Sequence, residues 1–297
     1  MIETRCEIDS ALAQPLEDFF CELVRSPWLI FHEKIGAPHL LMGYFDSESE
    51  ALDAWEDLRK SFKMLPEKPL IGNLEDRDWK EAYKENLHPW SFGKLHWVPE
   101  WRRAEYCVPE GAAVVYFDAG LAFGTGDHPT TRLCGMRLAE FFETRKPAEI
   151  SVTDAGCGSG ILALSAAKLG AKNVYGFDRD PEAVDVSAEN RARNGLDESA
   201  VKFVREGMES GLASAGARDV VLANIISDVL CIYADELVAA VAPGGMLALS
   251  GILASEQNSV RELFEKKARE AWGSVRADGR VMGDWADVAL FRERDLQ

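Results

Sequence analysis

The 297 residues carry 33 basic against 50 acidic side chains, a net charge of −17, with 47% hydrophobic and 28% charged residues. That is the composition of a globular chain with ample core, and its acidity argues against nucleic acid as the primary ligand, whose binders usually present a basic face. It suits a basic protein partner instead, no apolar run approaches the roughly eighteen residues of a membrane span, and Met1–Arg5 lacks the pattern of a signal peptide.

The first 75 residues read β-α-β-β-α-β. Ile2–Ile8 alternate loosely, and Ser10–Arg25 put Leu12, Leu16, Phe19, Phe20 and Leu23 at helical spacing. Trp28–Glu33 and Leu40–Phe45 are strand-like runs separated by Gly36-Ala37-Pro38. Ser47 is placed to cap a helix carrying Ala51, Trp55 and Leu58 on one side, and Leu70-Ile71 form a short last strand. This order predicts a ferredoxin-like α+β domain over 1–75. A polar helical segment, Glu75–Leu87, begins the linker expected over 76–99, and His88-Pro89 stops it.

From Trp101 strands and helices alternate, which predicts an α/β domain over 100–297 with a doubly wound, mostly parallel sheet. Phe123-Gly124-Thr125-Gly126-Asp127-His128-Pro129-Thr130-Thr131 is a glycine loop opening a helix. The run Ile150–Thr153 then leads into Asp154-Ala155-Gly156-Cys157-Gly158-Ser159-Gly160, the helix-like stretch Ile161–Leu169, and a second run, Val174–Phe177, ending in Asp178. Strand, glycine loop, helix, strand and acid form a βαβ unit for an adenosine-containing cofactor. Gly156, Gly158 and Gly160 let backbone approach the ligand, and Asp178 is placed to accept from two ribose hydroxyls. A dinucleotide fingerprint needs glycine where Ile161 stands, so the spacing points to S-adenosylmethionine. Cys157 is read as a small space-filling thiol.

Asp180-Pro181 starts the next helix and Asn194-Gly195 ends it. Val201–Val204 and Asp219–Ala223 are strands three and four, the latter finishing at Asn224. A helix with Leu230, Tyr233, Leu237 and Val241 at core spacing follows, then Pro243-Gly244-Gly245 and a fifth strand, Met246–Ser250. Val275–Val281 and Val288–Phe291 complete seven strands. Ligands bind at the carboxyl ends of such strands, where the loops at 156–160, 178, 224–226 and 251–253 converge.

No metal site is expected. The six cysteines (Cys6, Cys21, Cys107, Cys134, Cys157, Cys231) form no Cys-x-x-Cys pair, and the five histidines show no ligand spacing. Cysteines without a disulfide framework fit a reducing cytosol, and a cytoplasmic monomer is the default expectation.

These motifs, with Ala223-Asn224-Ile225, Leu249-Ser250-Gly251-Ile252-Leu253, Asp76-Arg77-Asp78-Trp79 and Asn86-Leu87-His88-Pro89, resemble the PrmA family. Its members are bacterial methyltransferases that trimethylate amino groups on the eleventh protein of the large ribosomal subunit. The resemblance runs from about residue 75 to 255. It implies a Rossmann-like class I S-adenosylmethionine methyltransferase domain, with the N-terminal domain capturing the substrate protein on a flexible linker. It also implies cofactor contacts at Thr131, Gly156, Asp178 and Asn224, and lysine side chains, with an N-terminal amine as a further candidate, as methyl acceptors. Asp127 departs from the uncharged residue often found in the family, an extra carboxylate tolerable beside a sulfonium. Asn224 is a candidate to orient the amine, or a strand-end cap that touches only the cofactor. Asn224-Ile225-Ile226-Ser227 lacks the prolines and aromatic of enzymes that methylate flat amides or bases, which disfavours such targets. Two rival readings are a nicotinamide-dependent oxidoreductase, which Asp178 would also suit, and a non-catalytic ribosome-assembly factor. The latter would keep a vestigial cofactor site and bind RNA through Phe31, Tyr44 or Phe45.

Overall fold

The computed structural model describes residues 2–21, 26–31, 39–73, 87–118 and 126–294. The chain divides into two compact units, 1–86 and 87–297. The polar segment expected over Glu75–Leu87 lies almost wholly outside the described residues.

In the first unit, β1 (Ile2–Ile8), β2 (Trp28–Phe31), β3 (His39–Phe45) and β4 (Leu70–Asn73) form one sheet in the order β2-β3-β1-β4, every neighbour antiparallel. With α1 (Ser10–Cys21) and α2 (Glu48–Ser61) this is the ferredoxin-like arrangement expected. Ser47 caps α2 by accepting from the Glu50 N–H at 3.2 Å, while Glu50 reaches back to the Asp46 N–H. The core gathers Leu16, Leu41, Phe45, Trp55 and Leu58 beneath Trp28. Gly43 sits opposite Trp28, where a Cβ would lie 2.4 Å from the indole. Phe45 is therefore a core residue and no RNA platform; period-two alternation turns it inward while Tyr44 stays half-buried.

The second unit is built on a seven-stranded sheet. Its strands are β8 (Ser151–Ala155), β9 (Asn173–Asp178), β10 (Val201–Arg205), β11 (Arg218–Asn224), β12 (Val241–Leu253), β13 (Arg276–Met282) and β14 (Trp285–Phe291), in the order β10-β9-β8-β11-β12-β14-β13. The first five run parallel, β14 alone runs antiparallel to them, and β13, antiparallel to β14, points the same way as the five. Helices cover both faces, so the central strands read as unbroken apolar runs. Val220, Leu222, Met246 and Ala248 pack towards α3 (Pro129–Glu143) and α4 (Ile161–Lys168). Val221, Ala223, Leu247 and Leu249 face the opposite core, with Leu212, Leu230, Leu237 and Phe264. On that side lie α6 (Met208–Ala215), α7 (Ser227–Ile232), α8 (Ala234–Ala239) and α9 (Gln257–Trp272), while α5 (Pro181–Arg193) follows β9. This is a Rossmann-like class I α/β architecture.

Three segments differ from the sequence expectation. Trp90–Pro99, expected as linker, forms β5 (Trp90–Phe92) and β6 (Leu95–Pro99), which join β7 (Ala113–Phe117) in a second sheet of this unit. Trp97 is 1% exposed and its indole N–H donates to Ser165 Oγ at 2.8 Å, which binds the small sheet to α4. The single helix expected through Leu230, Tyr233, Leu237 and Val241 breaks at Tyr233 into α7 and α8. Val241 instead opens β12, pairing with Arg218. Pro243-Gly244-Gly245 lies inside that longer strand, where the pairing register shifts.

Candidate functional site

A cavity of about 680 Å³ opens along the carboxyl edge of the seven-stranded sheet. Its wall follows the strand order. Glu206 comes after β10, Asp178 ends β9, Gly156 and Gly158 follow β8, Asn224 ends β11, Gly251 lies in β12 and Trp285 opens β14. Carboxylates therefore gather at the β9–β10 end. Ile225, Ile226, Val229, Tyr233 and Trp285 make the opposite end apolar and aromatic.

The glycine loop is fixed to its neighbours by backbone. The Gly156 and Cys157 N–H groups both donate to the Phe177 carbonyl, at 2.9 and 3.0 Å. The Gly158 N–H donates to Asp178 Oδ2 at 3.0 Å, and the Asp180 N–H to Asp178 Oδ1 at 3.0 Å. Each carboxylate oxygen keeps a lone pair for another donor. Gly156 has φ +75°, and a Cβ there would lie 2.7 Å from Ile225 Cγ2. Backbone thus borders the cavity where a side chain would fill it. Gly160 does not line the cavity. It is the left-handed residue before α4, closed in by Phe203 and Ser187.

Asp154 caps that helix from the strand, accepting the Ala163 N–H at 3.0 Å. Full burial pushes its carboxyl up to about 7, the hydrogen bond from Ala163 opposing and the Asp178 charge adding. Burial likewise raises the Cys157 thiol well above its ordinary value, consistent with a space-filling group.

Asn224 is 8% exposed. Its Nδ2 donates to Thr131 Oγ1 at 3.3 Å, while its Oδ1 has no hydrogen-bond partner among the described residues. Thr131 is buried behind Asn224, and Thr130, at the start of α3, lines the cavity. His128 caps α3, its Nδ1 2.7 Å from Thr130 Oγ1, and its ring meets Trp285 edge-on at 4.8 Å. Burial lowers the His128 pKa, the charge of Asp127 opposing. Asp127 pairs with Arg132 and does not line the cavity, so its charge is answered locally. Phe123, Gly124 and Thr125 lie outside the described residues.

Of the six expected contact residues, Gly156, Gly158, Asp178 and Asn224 line one cavity, Thr131 supports Asn224, and Gly160 packs elsewhere. Sequence reasoning missed Glu206, Met208, Tyr233 and Trp285. Glu206 had a usable signal, since it follows strand three as Asp178 ends strand two. Tyr175 and Ser214 hydroxyls hold its carboxylate at 3.0 and 3.1 Å. Trp285 had none, because its approach depends on an antiparallel strand inserted from the end of the chain. Among the described residues, no group of three or more His, Cys, Asp or Glu side chains is placed to hold a metal, and no helix is long and apolar enough to cross a membrane.

A family model described as ribosomal protein L11 methyltransferase (PrmA) matches residues 27–289. A Glaesserella parasuis protein named ribosomal protein L11 methyltransferase is 40% identical over 228 residues, covering 76% of this chain and 74% of its own. One of the same name from Pectobacterium carotovorum is 37% identical over 254 residues, 80% of this chain and 82% of that one. The solved structure of ribosomal protein L11 methylase from Lactobacillus delbrueckii subsp. bulgaricus has a TM-score of 0.58 and 28% identity, over 70% of this chain and 100% of that one.

Proposed function

Because the chain belongs to the PrmA family of ribosomal protein L11 methyltransferases, we propose that it transfers methyl groups from S-adenosylmethionine to amino groups of ribosomal protein L11, lysine side chains above all. The observation that carries this reading is Asn224 Oδ1, a buried acceptor without a partner at the junction of the cavity's polar and apolar ends. A buried polar atom left unpaired costs free energy that a ligand donor recovers. The cavity volume, the close backbone at Gly156 and the rigid Asp178 carboxylate suit an adenosine-bearing donor.

Bound S-adenosylmethionine supplies a methyl group on a positively charged sulfur. Asp178 would hold the ribose hydroxyls through its remaining lone pairs, and the backbone at Gly156 and Gly158 would border the amino-acid portion. Thr131 fixes the Asn224 amide so that its Oδ1 accepts an N–H of the incoming amine. A free lysine has a pKa near 10.4, so neutralising it at pH 7 costs roughly 4.6 kcal/mol. Ile226, Val229 and Trp285 desolvate the amine and lower that cost. Catalysis is then chiefly alignment of the amine with the methyl group, and no dedicated base is required.

The test is incubation of the purified protein with methyl-labelled S-adenosylmethionine and unmethylated L11, the label being mapped by mass spectrometry. Label on L11 amines is the expected result; label confined to nucleic acid or a metabolite overturns the reading. Thermal-shift assays with S-adenosylmethionine and NAD separate the oxidoreductase alternative, since only the former should stabilise the protein.

A further inference from the structure

The cavity's apolar end continues onto the surface. Ile226 is 64% exposed and Leu253 41%, although each is a large hydrophobic side chain. They belong to different loops that one carboxylate joins. Glu256 Oε2 accepts from the Ser227 hydroxyl at 2.7 Å and from the Leu253 N–H at 3.3 Å. Beneath them the backbones touch, for a Cβ on Gly251 would lie 2.3 Å from the Ile225 carbonyl oxygen. Leu253 pairs across the ladder with Trp285, which lines the cavity. Exposed carboxylates flank this lip at Asp228 in the first turn of α7 and at Asp284 just before Trp285. Burial chiefly raises the Cys231 thiol, and the charges of Asp228 and Glu256 add to it.

We infer that Ile226 and Leu253, clasped by Glu256, form a docking lip for the backbone segment that carries the target lysine, its apolar neighbours on the lip and its basic neighbours against Asp228 and Asp284. The occupant is a basic segment of the protein substrate, because the lip is continuous with the cavity wall, carries carboxylates on its rim and belongs to a chain of net charge −17. Lysine fits the entrance chemically, since its four-carbon stem lies along apolar surface while its amine reaches Asn224. Glu256 is a positioning residue that acts through the loops it joins.

This inference rests on the proposed methyl transfer, so the wild-type protein is assayed first. Its turnover of L11 tests that reading alone. Leu253→Ser, Glu256→Ala, Glu256→Gln and, as a control, Val108→Ser at an exposed position that does not line the cavity are then compared on L11 and on Nα-acetyl-lysine amide, which has no flanking segment. For L11, Leu253→Ser and Glu256→Ala should raise KM about tenfold with kcat nearly unchanged. Glu256→Gln, whose side-chain carbonyl accepts the same two hydrogen bonds, should restore most of the loss, and Val108→Ser should match wild type. Turnover of the small amine should be the same in every variant. Equal losses on both substrates would overturn the lip, as would a wild-type KM for L11 in Leu253→Ser.

Discussion

Two aspartates separated by 24 positions illustrate how environment divides one residue type between two tasks. Asp178 accepts two backbone N–H groups at the cavity wall and is partly open. Replacing it by alanine should weaken S-adenosylmethionine binding about 10- to 100-fold, the worth of charge-assisted hydrogen bonds, measured by calorimetry; unchanged affinity would remove it from the ribose site. Asp154 is sealed, and its carboxyl stands near 7 because burial penalises the charged form. Its folded pKa lies above the unfolded value near 3.9, so the folded state holds the proton more tightly. The stability gained in this way is fully present below about pH 4 and is lost as pH rises through about 7. Asn at 154 keeps an acceptor for the Ala163 N–H and has nothing to titrate. Asp154→Asn should therefore flatten the decline in Tm between about pH 4 and about pH 7. An unaltered slope would show that other groups cause the decline.

At the scale of elements, the two sides of the cavity are joined by a buried ion pair. Arg137, in α3, forks onto Asp287 of β14 at 2.8 and 2.9 Å, with side chains 2% and 1% exposed. Burial alone would lower the Arg137 pKa, but the hydrogen bonds it donates to Asp287 and Asp278 more than reverse this, and the guanidinium stays charged. The Arg280 N–H also donates to Asp287. The helix capped by His128 is thereby pinned to the strand that begins at Trp285. Asp287→Ala leaves the buried guanidinium only the half-exposed Asp278 as a partner and should cost about 3 kcal/mol in denaturant unfolding, whereas Arg137→Met with Asp287→Leu should cost far less. A double variant as damaging as the single would mean that packing, and not charge, dominates there. Such long-range links are invisible in sequence. What was legible was local: the apolar runs of β8 to β12, the Asp180-Pro181 start, and the glycine loop between two strands. Tyr233 was misread because Leu230 and Leu237 face the core across the break just as they would in one helix. Trp90–Pro99 was misread because each strand is too short for its alternation to stand out until Trp97 is seen against α3 and α4.

For the whole molecule, the order of strands matters more than any one of them. Because β14 inserts between β12 and β13, an aromatic from near the end of the chain reaches a site whose other parts lie between His128 and Gly251. The cavity thus grades from carboxylates at one end to hydrocarbon at the other, which suits the proposed donor and acceptor. The net charge acts over a longer range. Exposed charges interact over about 8 Å at physiological ionic strength and about 3 Å at 1 M, so an acidic surface accelerates encounter with a basic protein chiefly at low salt. For L11, kcat/KM should therefore fall by about tenfold or more between 0.05 and 0.5 M salt, through KM, while turnover of a small lysine derivative changes little. The contrast between substrates is the decisive part, because salt that unfolded the protein or displaced the cofactor would depress both. Parallel curves would assign the salt effect to the cavity and leave the acidic surface without a part in capture.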